Sequence, residues 1–173
     1  MLASVEGPIR PERVGIGGGG TGATPGGIAA GFDDFTLPRN DDGATDAIAL
    51  PFAVDFFGVE YDETFVSNNG YLTFNFGQGS FTPSGLGEDY SGQPIIAPFF
   101  ADVDTRNPAS AETAYGTGMF AGRQAFGATW DGVGYFPSQA DKLNNFQVLL
   151  VDRSDTGAGN FDIYFNYTRI TWE

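Results

Sequence analysis

No stretch of this chain keeps apolar residues at helical spacing for three turns. Glycine and proline explain much of that: 26 Gly and 10 Pro are spread through 173 residues. In a helix interior they cost about 1 and 3 kcal/mol relative to alanine, whereas turns use both. The segments between them are short and rich in aromatic residues, with 17 Phe, 7 Tyr and 2 Trp in the chain. Such residues suit a pleated, half-buried surface. The expected fold is therefore all-β, an antiparallel β-sandwich with long Gly/Pro-rich loops.

The clearest local signal is a hairpin. Thr64-Phe-Val-Ser leads into Asn68-Asn69-Gly70 and out through Tyr71-Leu-Thr-Phe-Asn-Phe76. Asn-Gly accepts the positive φ angles of a type I′ turn. In its second strand Leu72, Phe74 and Phe76 share one face. Asp131-Gly132 reads as a second turn. Asn145 to Val151 is nearly continuous apolar, as in a strand covered on both faces. Phe161, Ile163, Phe165 and Tyr167 alternate, and the phase flips after Arg169, which suggests a bulge.

Residues 1–31 read differently. Gly15 to Gly31 is more than half glycine and has no apolar period, so it is expected to be a flexible arm ahead of a domain at 32–173. Gly15-x-Gly17-x-x-Gly20 matches a dinucleotide fingerprint, but no strand precedes it and no helix pattern follows.

The formal net charge is −14, which disfavours nucleic acid and anionic membranes. No apolar run reaches membrane-spanning length. There is no cysteine and no histidine, so thiolate chemistry and the commonest general base are excluded.

Three blocks resemble one known family. They are Leu50-Pro-Phe through Phe56-Phe-Gly58 with Phe65 to Phe74; Ile95-Ile-Ala-Pro-Phe-Phe-Ala-Asp-Val-Asp-Thr-Arg106; and Asn145 to Val151 with Phe161 to Trp172. Together they resemble the nidogen-like (NIDO) extracellular domain, in the style of its bacterial secreted members. The resemblance implies a secreted or cell-surface β-rich module without catalytic residues. It also implies further strands after Ile170-x-Trp172, so the domain is expected to be incomplete at its C-terminal end.

Two acidic clusters stand out: Asp102-Val-Asp104, and Asp152 with Asp155 and Asp162. One reading is calcium, which takes six to eight oxygen ligands. The other is local pairing with Arg106 and Arg153. Tyr90, Trp130 and Tyr135 are candidates for stacking on glycans. The functional expectation is a non-enzymatic module that assembles a matrix, surface or filament with other copies of itself or with matrix and surface proteins. The alternative is a lectin-like, glycan-binding module. An unpaired Phe161–Trp172 strand, with Phe161, Ile163, Phe165 and Tyr167 on one face, invites strand exchange between chains. Ile9, Val14, Ile16 and Ile28 of the arm are the expected anchors.

Overall fold

The computed structural model describes residues 27–83, 85–86 and 92–173. These form two antiparallel sheets and no helix. The larger sheet comprises β1 (Phe35–Leu37), β6 (Thr113–Phe120), β7 (Arg123–Tyr135), β8 (Gln139–Asp152) and β9 (Phe161–Arg169), in the order β1-β6-β7-β8-β9. The smaller comprises β2 (Ile48–Asp55), β3 (Glu60–Ser67), β4 (Tyr71–Thr73) and β5 (Ile95–Ile96), in sequence order. They pack face to face, so the β-sandwich expectation holds.

The continuous apolar run in β8 is covered on both sides. Phe146, Val148 and Leu150 enter the core between the sheets, while Leu149 and Val151 belong to a second cluster on the outer face. At the centre, Trp130 stacks on Phe146 at 5.0 Å with 12° between the rings. Its indole N–H donates to the Asn68 carbonyl at 2.9 Å, so the one polar atom of this buried ring is satisfied.

The outer face is covered by the chain's own N-terminal segment. Ala29 lies over β8, where its N–H donates to the Gln147 carboxamide oxygen and its carbonyl accepts from the same side chain, both at 2.9 Å. Phe32 then sits over Gly127 of β7, and Asp34 accepts from the Thr117 amide of β6. Glycines in β6 and β7 make the furrow this strap needs. A Cβ at Gly127 would lie 2.6 Å from Phe32 Cγ, and one at Gly118 would lie 2.8 Å from the Gly31 carbonyl oxygen. Among the described residues, packing onto the sheet is seen from Ala29, ahead of the boundary that composition suggests after Gly31. A second clamp holds the other end. Asn144 of β8 accepts from the Thr171 amide at 2.7 Å and donates to the Trp172 carbonyl at 2.9 Å.

Three local expectations change. Ser67 pairs with Tyr71, so the hairpin turn has three residues, and only Gly70 has a positive φ, of 84°. The two asparagines instead bind distant backbone. Asn68 donates to the Asp41 and Val103 carbonyls, and Asn69 accepts from the Val103 amide. The strand also stops at Thr73, and Phe76 is exposed. Asp131-Gly132 is not a turn but a bulge within β7, where Gly132 at φ 94° absorbs the extra residue. The bulge in β9 falls at Thr168, before Arg169, because Asn145 pairs with Arg169 and Phe146 with Tyr167.

Candidate functional site

Two features bear on function: an acidic corner and the outer edge of β9. The corner is built by the segment between β1 and β2, which brings Asp41 and Asp42, and by the loop after β5, which brings Asp102 and Asp104. Asn68 and Asn69 tie the two together. Asn68 donates to carbonyls of both segments, and Asn69 donates to Asp42 Oδ1 at 2.9 Å.

Asp104 is fully buried and fully engaged. Arg106 grips it through two guanidinium N–H groups, and the amides of Arg106 and Ser138 donate to it as well. Burial alone would raise this carboxyl, but the hydrogen bonds from Arg106 and Ser138 overcome it and hold it below the usual value of 3.8. It is a structural ion pair. Asp102 instead meets Asp41 and Asp42, and each of the three can place an oxygen within 4.8 Å of the others. Burial, then the charges of neighbouring aspartates, push Asp41 and Asp102 above 3.8, and Arg106 offsets only part of this. Asp41 Oδ2 meets Arg106 at 2.9 Å, whereas its Oδ1 is buried without a hydrogen-bond partner.

The second acidic cluster lies at the opposite end of β8. Asp155 receives both guanidinium N–H groups of Arg123 at 2.7 and 2.9 Å and Nε of Arg153 at 3.1 Å. Arg153 also donates to Asp162 at 2.8 Å. Asp152 caps the turn through the Ser154 amide and hydroxyl. Asp155 and Asp162 pair with Arg153 as the local reading expects, whereas Asp152 does not, and the two bonds to Asp155 from Arg123, 32 residues away, are not local. Of the five aspartates singled out by sequence, only Asp102 joins a multi-carboxylate group. Its companions Asp41 and Asp42 carried no sequence signal beyond being adjacent.

β9 borders the larger sheet, and among the described residues no strand pairs with its far side. Phe161 and Ile163 pack against the core. Further along the same face Phe165 is 45% exposed and Tyr167 40% exposed, the latter's hydroxyl donating to the Pro98 carbonyl. Asn166, the acceptor of a glycosylation sequon, is turned to the outer face and donates to Gln147. Of the arm anchors, Ile28 is half-buried beside the strap, and Ile9, Val14 and Ile16 lie outside the described residues. The proposed glycan platforms fare poorly. Trp130 is fully buried, Tyr135 packs on Trp172 and donates to Asp141, and Tyr90 lies outside the described residues.

The model of the NIDO-related family matches residues 27–169. Mouse alpha-tectorin is 35% identical over 160 residues, covering 81% of this chain and 7% of the relative. Drosophila nidogen is 32% identical over 143 residues, covering 66% of this chain and 10% of the relative. Mouse nidogen-2 is 28% identical over 188 residues, covering 91% of this chain and 12% of the relative. The chain thus spans a small part of the length of the relatives it matches. No solved structure matches it. The family match begins at Gly27, just ahead of the strap, and takes in both sheets through β9: the chain belongs to the NIDO-related family.

Proposed function

We propose that this chain is a non-enzymatic assembly module of an extracellular matrix or cell surface, and that it associates by accepting an extended strand from another chain along the edge of β9. Its nidogen and tectorin relatives are matrix proteins, and the location that follows is secreted or cell surface. The carrying observation is the edge itself. A bordering strand presents a row of unpaired N–H and C=O groups. In β9 that row runs beside two large, half-exposed aromatic side chains, Phe165 and Tyr167. Residues 163–172 contain one charge, Arg169, in a chain of net charge −14. Another acidic chain meets little repulsion along this stretch.

The test is Phe165→Lys with Tyr167→Lys, two half-exposed positions outside the core cluster, the second of which also gives up its hydrogen bond to Pro98. Charges on an edge block strand addition. Sedimentation velocity across a concentration series should show wild type associating and the double variant staying monomeric. Equal association of the two overturns the β9 reading.

The acidic corner supports a second element, a calcium ion held by Asp41, Asp42 and Asp102. The fit rests on the buried, unpartnered Asp41 Oδ1 and on hard carboxylate oxygens, the ligands calcium takes. An ion that binds only the folded state stabilises it by about 2.7 kcal/mol at a hundredfold excess over its Kd. Millimolar calcium should therefore raise the melting temperature over chelator at pH 7, and Asp41→Asn should abolish the shift. The sign of the pH dependence is fixed. Asp41 and Asp102 titrate above 3.8 in the fold, so in the metal-free protein their protonation favours folding, and that contribution is lost as pH rises through the raised values. Protons and calcium compete for the same oxygens, so the calcium shift should be largest at neutral pH and shrink on acidification. Superimposed melts at pH 7 would remove calcium from the account.

A further inference from the structure

We infer that the strand received along the β9 edge is β9 of a second copy of this chain, running antiparallel to the first, with Phe165 facing Phe165 and Asp162 facing the second copy's Arg169. This deepens the β9 reading and rests on it.

A strand that pairs with itself about a two-fold axis must be its own complement: if residue i meets residue j, then j meets i. With the axis at Phe165, Ile163 meets Tyr167 and Tyr164 meets Asn166. An axis perpendicular to the sheet keeps the core-facing sides of both copies on one side. On that side lie Phe165, opposite Val148 of β8, and Tyr167, opposite Phe146. The half-exposed rings of Phe165 and Tyr167 then lie against Phe165 and Ile163 of the second copy. Cross-strand neighbours of this kind are what stabilise a sheet.

The bulge supplies the charge complement. By simple alternation Arg169 would point to the same side as Phe165 and Tyr167. The extra residue, Thr168, turns it over: Arg169 lies opposite Asn145, which alternates with core-facing Phe146 and so faces outward. Asp162 lies opposite Val151, a member of the outer cluster, and shares that outward face. With Thr168 set aside, Arg169 stands three places after Phe165 and Asp162 three places before it. In the two-fold pairing they meet, once at each end of the joined strands.

Both partners are available. Arg169 is exposed, donates through Nε to Asn145 at 3.1 Å, and has no ion pair within its own chain. The Asp162 side chain is 39% exposed and meets Arg153 through one oxygen, Oδ2. The other border of the larger sheet offers less. β1 has three residues, and with core faces aligned it would run parallel to β9, the less stable pairing per residue.

The chain has no cysteine, so single cysteines in the full chain report the register. Phe165→Cys faces its own counterpart with Cβ atoms about 4.5–5.5 Å apart, and should oxidise to a disulfide-linked dimer. Tyr167→Cys is four residues out of register with its counterpart, about 14 Å away, and should not. Charge exchange tests the ends. Sedimentation velocity should show Arg169→Asp alone and Asp162→Arg alone each raising the dimer dissociation constant by about tenfold or more, since two attractive pairs become two repulsive ones. An equimolar mixture of these two variants should recover association, because each charge then finds its opposite. No cross-link from Phe165→Cys, equal cross-linking of Tyr167→Cys, or a mixture no tighter than its components overturns the self-pairing. The β9 reading outlives those results if Phe165→Lys/Tyr167→Lys abolishes association of the wild type, and falls with the self-pairing if it does not.

Discussion

Trp130→Ala should destabilise the fold by roughly 3–5 kcal/mol, the range for removing a large buried aromatic side chain. Trp130 is fully buried, stacks on Phe146, and provides the N–H that satisfies the Asn68 carbonyl. Truncation leaves a cavity between the sheets. It also strands a buried acceptor in the segment that ties together the loops of the acidic corner. A urea titration would show a lower midpoint with an unchanged slope. Tyr164→Ala, on the partly exposed outer face of β9, should stay within about 1 kcal/mol of wild type. Similar losses for the two variants would mean that the core is not centred on Trp130.

Gly70→Ala should cost more than about 4 kcal/mol, or prevent folding altogether. Two penalties act together. Gly70 has φ 84°, and a residue with a Cβ pays about 1–2 kcal/mol for left-handed backbone. The added Cβ would also lie 1.8 Å from the Phe99 carbonyl oxygen. That contact is with backbone, so no rotamer change relieves it. The Pro98–Ala101 segment would have to move, taking Phe99 away from Phe146 and Trp172. Gly58→Ala is the matched control: φ is 81°, but nothing lies within 4 Å of the added atom. It should cost only the conformational part, about 1–2 kcal/mol. Melting temperatures of the two variants, read by circular dichroism, separate clash from strain.

What the sequence revealed, and what it hid, follows from how far each interaction reaches along the chain. The strands were legible because alternation is local. Phe161 to Tyr167 and the doubly covered run in β8 needed only their own residues to be recognised. The turns were harder. Asn68-Asn69-Gly70 and Asp131-Gly132 both read as tight turns, because Asn-Gly and Asp-Gly accept positive φ. Their actual roles depend on distant partners: Val103 for the asparagines, and the strand paired through a bulge for Gly132. The strap was invisible for the same reason. Gly116, Gly118 and Gly127 have meaning only beside Gly31, Phe32 and Asp34, 82 to 95 residues earlier in the chain. Of the acidic corner, the sequence offered Asp102 but paired it with Asp104. Alternation along the loop turns neighbours at i and i+2 to related directions, yet Arg106 claims Asp104 and leaves Asp102 to Asp41 and Asp42.

The two clamps on β8 have a mechanical consequence. Among the described residues, Ala29 is held by Gln147 and Trp172 by Asn144. Those anchors are three residues apart on one strand, about 10 Å at the rise of an extended chain. Tension applied between Ala29 and Trp172 is therefore taken up first across a short stretch of β8. The first bonds to yield are those of Gln147 and Asn144, and what they release is the strap at one anchor and the Thr171–Trp172 stretch at the other. A fibre strung with such modules would lengthen by peeling while each sandwich stayed folded.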